Sequence, residues 1–134
     1  MHFVNDSSVV SRPSPIILVV EDNDKNLRLI GDILRYYKYE VIEAANGEEA
    51  VTSAIAQLPD LILMDIQMPI MDGFTALKLL RENPATKDIK VIALTSFAMA
   101  GDREKILSAG FDDYIAKPMD TRALPEIVKK YLGA

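Results

Sequence analysis

Cysteine is absent from the 134 residues, and histidine occurs once, as His2. A disulfide framework, a cysteine nucleophile, a zinc–thiolate site and an iron–sulfur cluster are therefore excluded. A single histidine near the start of the chain also leaves no basis for a Ser-His-Asp triad or a histidine metal cluster. Any catalysis must come from carboxylates, hydroxyls, lysine and a metal held by oxygen. Positive charge is scarce as well: 15 Lys and Arg stand against 20 Asp and Glu, a formal net charge of -5. That balance speaks against a nucleic-acid surface, which needs a basic stripe. Long apolar runs are missing too. Ile16 to Val20 and Leu61 to Met64 fall far short of the roughly 18 residues of a membrane span. The polar start Met1-His2-Phe3-Val4-Asn5-Asp6 does not resemble a signal peptide. The expectation is a soluble, cytoplasmic protein that binds neither nucleic acid nor membrane.

What is present is an ordinary globular composition, 49% hydrophobic and 26% charged, in a chain long enough for one domain. Residues 1–15 hold four serines and two prolines with no sustained period, and read as a flexible tail before a domain at 16–134. From Ile16 the pattern changes. Ile16-Ile17-Leu18-Val19-Val20 is a continuous, β-branched-rich run, the signature of a strand buried on both faces. Asn23 or Asp24 can then cap a helix in which Leu27, Ile30, Leu34 and Tyr37 recur at helical spacing. The alternation repeats: a strand over Val41 to Ala44, a helix over Gly47 to Leu58, and a third strand, Leu61 to Met64, ending at Asp65. After the turn-rich Pro69-Ile70-Met71-Asp72-Gly73, a helix from Phe74 stops before Pro84. Ile89 to Leu94 is a fourth strand, Met99 to Ala109 a fourth helix, and Asp113 to Ala116 a fifth strand. Leu124, Ile127, Val128 and Tyr131 mark a fifth helix stopped by Gly133. Pro125 is a blemish, since inside a helix it removes a backbone bond. Five strands alternating with five helices imply a parallel sheet covered on both faces.

In such a sheet, ligands bind outside the carboxyl ends of the strands. Those ends carry Glu21 and Asp22, then Asp65, then Thr95 and Ser96, then Lys117. Three packed carboxylates repel one another unless some are protonated or a cation joins them. With only oxygen ligands on offer, Mg2+ or Mn2+ is the natural occupant. A carboxylate can attack phosphorus, with the metal, a lysine and a hydroxyl stabilising the transferred group's charge. Each residue alone has a plainer explanation. Glu21 and Asp22 suit a helix cap, Asp65 a strand terminus, Lys117 the surface, Thr95 a β-former and Tyr114 the core. Their joint placement on one rim outweighs these.

Four segments then stand out: Ile-Leu-Val-Val-Glu-Asp-Asn at 17–23, Asp-Leu-Ile-Leu-Met-Asp-Ile-Gln-Met-Pro-Ile-Met-Asp-Gly at 60–73, Ala-Leu-Thr-Ser at 93–96 and Tyr-Ile-Ala-Lys-Pro at 114–118. In this order and spacing the chain from about Pro15 to Leu132 resembles the receiver domain of two-component response regulators, and its Glu-Asp-Asn start resembles phosphorelay receivers. The resemblance implies a CheY-like, flavodoxin-like fold with strand order 2-1-3-4-5. It implies that Asp65 is the phosphoacceptor, taking a phosphoryl group from a phosphohistidine of a sensor kinase or histidine phosphotransfer protein. Asp22, Asp65 and the backbone carbonyl of Gln67 would ligate Mg2+, with Mn2+ a substitute. Glu21 stands where the family often has Asp; it would reach the metal through water or bond locally, alternatives that stay open. Lys117 would pair with Asp65 and then with phosphoryl oxygens, and Lys117-Pro118 matches the family's cis peptide. Thr95 and Tyr114 match its switch pair. Ser96 matches a position kept small for phosphodonor access, and Gln67 and Phe97 match positions that tune dephosphorylation, Phe97 by shielding the acyl phosphate. Output would pass through the face made by the fourth helix, fifth strand and fifth helix.

The expected function is thus a stand-alone phosphoacceptor switch and not an enzyme, beyond catalysing its own phosphorylation and dephosphorylation. The variants are a receiver excised from a larger regulator or hybrid kinase, and a degenerate receiver acting only as a binding module. A haloacid-dehalogenase-like phosphatase needs a second Asp where Gln67 stands. An FMN-binding module would find its phosphate repelled by the acidic rim. A P-loop enzyme needs a Gly-x-x-x-x-Gly-Lys that the chain lacks.

Overall fold

The run that opens at Ile16 forms β1 (Ile16–Val20), and α1 (Asp24–Tyr36), β2 (Glu40–Ala44), α2 (Gly47–Gln57) and β3 (Leu61–Asp65) follow. The second half repeats the alternation as α3 (Gly73–Glu82), β4 (Lys90–Thr95), α4 (Ala100–Ser108), β5 (Asp113–Ala116) and α5 (Ala123–Leu132). A computed structural model describes residues 14–96 and 100–133. Nearly all of the expected tail lies outside the described residues, as do Phe97 and the expected helix start at Met99. At the tail's boundary Pro15 already accepts the Glu40 N–H at 2.9 Å.

All five strands are parallel in the order β2-β1-β3-β4-β5, so the fold is the flavodoxin-like, CheY-like one expected. Ile17 lies between Val41 and Leu61, and Asp65 lies opposite Leu94. β3 is central and buried at all five positions, which is why it reads as an unbroken apolar run up to its acid. Side chains alternate across the sheet. Leu18, Val20, Ile62, Met64, Val91 and Ala93 pack with α2, α3 and α4 on one face. Ile17, Val19, Leu61, Leu63, Ile92 and Leu94 pack with α1 and α5 on the other.

Local chemistry sets the helix starts. Asn23 accepts the Asn26 N–H at 3.0 Å, Asn46 the Glu49 N–H at 2.9 Å, and Asp72 the Thr75 N–H at 2.8 Å. Each is a side-chain N-cap, worth about 1 kcal/mol. Asp72 is thereby committed to starting α3. Gly47 must be bare, because a Cβ there would lie 2.4 Å from the Met71 carbonyl oxygen that its own N–H bonds at 3.0 Å.

Two local expectations are refined. β4 starts one residue late, since Ile89 N–H closes a turn onto Thr86 at 3.1 Å, and Thr95 becomes the last strand residue. Pro125 is the third residue of α5. The first N–H groups of a helix have no intrahelical partner, so this proline breaks no bond and is simply buried.

Candidate functional site

Because all strands run the same way, their carboxyl ends share one rim, and the chain leaves β1 toward β2 on one side while β3 pairs on the other. That reversal opens a crevice between the loops after β1 and β3. Glu21, Asp22 and Asp65 meet there, each offering a carboxylate oxygen within 4.8 Å of the others. Glu21 is 1% exposed and Asp65 5%, whereas Asp22 is exposed.

Lys117, one residue beyond β5, reaches into this group. Its Nζ donates to Asp65 Oδ2 at 2.7 Å and lies 2.8 Å from Glu21 Oε1. The Lys117 backbone is tied down by its N–H to the Thr95 carbonyl at 2.7 Å, and the Lys117–Pro118 peptide is cis. The other Asp65 oxygen, Oδ1, accepts the Gln67 N–H at 2.9 Å. Both oxygens of the acid are thus held, one by a charge and one by the backbone of its own loop.

Glu21 bonds locally: Oε2 accepts the Asn23 N–H at 3.3 Å, and Oε1 faces Lys117. The approach of Nζ to Oε1 is close enough for an ion pair but off the line of a hydrogen bond. Glu21 Oε1 is in consequence a buried side-chain oxygen with no hydrogen-bond partner. Burial raises the Glu21 pKa, and Asp65 adds to the rise while Lys117 opposes it. Burial alone would lower the Lys117 pKa, but the hydrogen bond to Asp65 and the negative charges of Asp65 and Glu21 outweigh it and hold the ammonium above the ordinary lysine value.

The hydroxyl of Thr95 belongs to a buried residue, 2% exposed. Thr95 lines a small cavity of about 60 Å³ with Ile66, Phe74, Asp102 and Lys105. Tyr114 is half-buried and packs against the same layer, with the Arg103 guanidinium 5.8 Å above its ring. Thr95 pairs with Ala116, two residues beyond Tyr114, so the two side chains stand on one face of the sheet. Ser96 is exposed and borders a cavity of about 570 Å³ with Glu21, Lys117, Leu29, Ile30 and Met119. Gln67 is exposed.

All the rim residues named from the sequence except Phe97, which is not described, are therefore gathered at one end of the sheet. The sequence reading missed two partners. The Gln67 N–H on Asp65 comes from backbone geometry, which no residue type announces. Gly73 lies beneath the acid; the sequence reading placed it in a turn and in the 60–73 segment of the resemblance but assigned it no contact.

The donor set fits a hard divalent cation. It is all oxygen, three carboxylates converge, and one buried oxygen among them lacks a hydrogen bond.

Residues 17–129 match the response regulator receiver domain family. The polar-differentiation response regulator DivK of Brucella anthropi is 43% identical over 117 residues, covering 87% of this chain and 95% of that protein. Among solved structures, the receiver domain of the sensor histidine kinase PA1611 from Pseudomonas aeruginosa superposes with a TM-score of 0.83 at 40% identity. That match covers 90% of this chain and 99% of the other, which has a magnesium ion coordinated in its active-site cleft. The chemotaxis response regulator CheY4 of Vibrio cholerae gives a TM-score of 0.83 at 25% identity, covering 88% and 98%.

Proposed function

The chain belongs to the receiver domain family of response regulators in two-component signalling, and on that premise we propose that it is a phosphoacceptor switch acting through Asp65. A phosphohistidine of a sensor kinase or histidine phosphotransfer protein is the donor. An Asp65 oxygen forms the new P–O bond as the P–N bond to imidazole breaks, and the phosphoryl group ends as an acyl phosphate. The observation that carries this reading is the meeting of three carboxylates with Lys117 on one rim.

The chain's own groups suit each need. Gln67 N–H and Lys117 Nζ hold the two Asp65 oxygens, which restricts the carboxylate to one orientation before reaction. The ammonium of Lys117 is kept charged by its two acids and offsets negative charge on the incoming group. Ser96 leaves the rim open to a donor, and the cavity beside it is apolar along Leu29, Ile30 and Met119. Asp22, Asp65 and the Gln67 carbonyl would hold Mg2+, with Glu21 beside it, and the ion supplies charge neutralisation for phosphoryl transfer when bound.

The readout is a switch between packings. Thr95 and Tyr114 share the α4 side of the sheet, so a charge change at Asp65 can bias both through the end of β4. The face of α4, β5 and α5 is the proposed contact for a downstream protein. DivK, matched over 95% of its length, favours a stand-alone regulator. The PA1611 receiver, part of a sensor kinase, carries the second reading of a domain from a larger protein. The length of the full gene product separates the two.

Intact-mass spectrometry after incubation with acetyl phosphate and Mg2+ tests the chemistry. One phosphoryl adduct is expected, absent without Mg2+ and absent in Asp65→Asn. If the adduct persists in Asp65→Asn, the assignment of Asp65 is wrong. If acetyl phosphate gives none, beryllofluoride with Mg2+ is the next probe, and no binding of either would leave only the binding-module reading.

A further inference from the structure

β5 is the last strand of the sheet, and the residue beside Tyr114 on β4 is Ala93. A methyl group leaves the tyrosine ring room to swing. From the α4 side Arg103 covers it, with the guanidinium carbon 5.8 Å from the ring centroid. That distance lies within the range of a cation–π contact.

α4 itself is lightly held. Its described residues bury one large apolar side chain, Ile106, whereas α3 buries Leu77 and Leu80. Two residues beyond Arg103, on the other side of the helix, Lys105 lies 5.4 Å from the Phe74 centroid. Asp102, Lys105 and Ile106 wall the cavity beside Thr95. One turn of α4 thus closes the Thr95 cavity and caps the Tyr114 ring, so both halves of the proposed switch meet it.

We propose that Arg103 is a positioning residue for Tyr114. Its guanidinium favours the ring position of this structure and so raises the threshold at which chemistry at Asp65 turns the switch. A group biases a two-state element only by interacting unequally with its two arrangements. The contact over the ring is made in this arrangement and weakens as the ring turns toward Thr95. Arg103 is exposed, so the contact shifts the balance by about two- to fivefold and does not lock it. This inference rests on the phosphoacceptor reading and adds a residue that sets how readily the switch turns.

The test uses the full chain with beryllofluoride and Mg2+ as the probe. Arg103→Gln removes the cation and keeps a good helix former. Beryllofluoride should then bind about two- to fivefold tighter, because less of the protein rests in the unreceptive arrangement. Arg103→Lys keeps a cation and should stay nearer the parent. In a Tyr114→Leu background Arg103→Gln should bring no gain, since the ring it acts through is gone. A gain of equal size in both backgrounds overturns the proposal, as does no gain in the parent background or an equal gain in Arg103→Lys.

A second readout follows the Tyr114 ring signals by NMR in protein free of metal and beryllofluoride. In Arg103→Gln they should move part of the way along the line joining the free and beryllofluoride-bound parent. Movement off that line would mean that only the ring's surroundings had changed, and would sink the positioning role. If the parent binds beryllofluoride but the coupling is missing, only this inference fails. If the parent binds none and no phosphoryl adduct forms, the phosphoacceptor reading falls and takes this inference with it.

Discussion

Gly73 lies against the backbone of Asp65 so closely that a Cβ on it would stand 2.6 Å from the Asp65 carbonyl oxygen and 2.9 Å from Ile66 Cα. Its N–H also bonds the Ile66 carbonyl at 2.9 Å. The start of α3 is thus pressed onto the end of β3, and the position of the acid depends on a missing side chain. Gly73→Ala must displace backbone, at a cost of about 1–3 kcal/mol. Thermal unfolding should show a fall of several degrees, and phosphorylation at Asp65 should slow even where the protein is fully folded. Gly101→Ala is the control, since nothing lies within 4 Å of a Cβ there; an equal loss in both would refute the contact as the cause.

Arg81 forms a clasp at the opposite end of the sheet. Its guanidinium donates to the Lys87 and Ile89 carbonyls at 3.0 and 2.7 Å, and to the Gly110 carbonyl and Asp112 Oδ2 at 3.2 and 2.9 Å. The same Asp112 oxygen accepts the Val91 N–H at 2.8 Å, so the clasp joins α3 to the starts of β4 and β5. A lysine cannot reproduce a planar fork. Arg81→Lys should lower stability in urea unfolding by about 1–3 kcal/mol. Mn2+ affinity at the far rim should stay unchanged, and a marked loss there would contradict a purely structural clasp.

Tyr131 donates its hydroxyl to Asp113 Oδ2 at 2.9 Å. Burial, then that bond and the charges of Asp113 and Asp112, push its pKa from 10.0 up to about 12. The unfolded chain gives up this proton near pH 10 while the native state keeps it, so the stabilisation is complete below pH 10 and is lost as pH rises toward 12. Urea unfolding at pH 9 and pH 11 should show a smaller loss between the two for Tyr131→Phe than for the parent. Burial raises Tyr39 as well, and a residual loss in Tyr131→Phe is expected from it. Equal losses in parent and variant would rule out Tyr131 as a source.

Lys38 follows α1 with φ of 73°, and its N–H bonds the Arg35 carbonyl at 2.9 Å. A left-handed residue with a Cβ costs about 1–2 kcal/mol, part of which glycine returns through its freer unfolded chain. Lys38→Gly should therefore stabilise by about 0.5–1 kcal/mol. A loss of stability on this change would mean that the lysine side chain matters more than the turn.

The sequence by itself determined the alternation of strands and helices, because burial on both faces makes a parallel strand a continuous apolar run, as in Leu61 to Met64. It also determined which acids, hydroxyls and lysine end those runs, and so which residues share the rim. The start of α1 was legible at Asn23, where a capping side chain announces itself, and the start of β4 was blurred at Ile89, where a turn bond outcompeted strand propensity. Tertiary structure alone decided the pairings within the rim. That Lys117 bridges Glu21 and Asp65 depends on strands separated by over fifty residues coming into register. Two further relations, the Gln67 N–H on Asp65 and the bare face of Gly73 beneath it, are backbone contacts. Side-chain patterns carry no record of them, because they arise only when the chain has closed on itself.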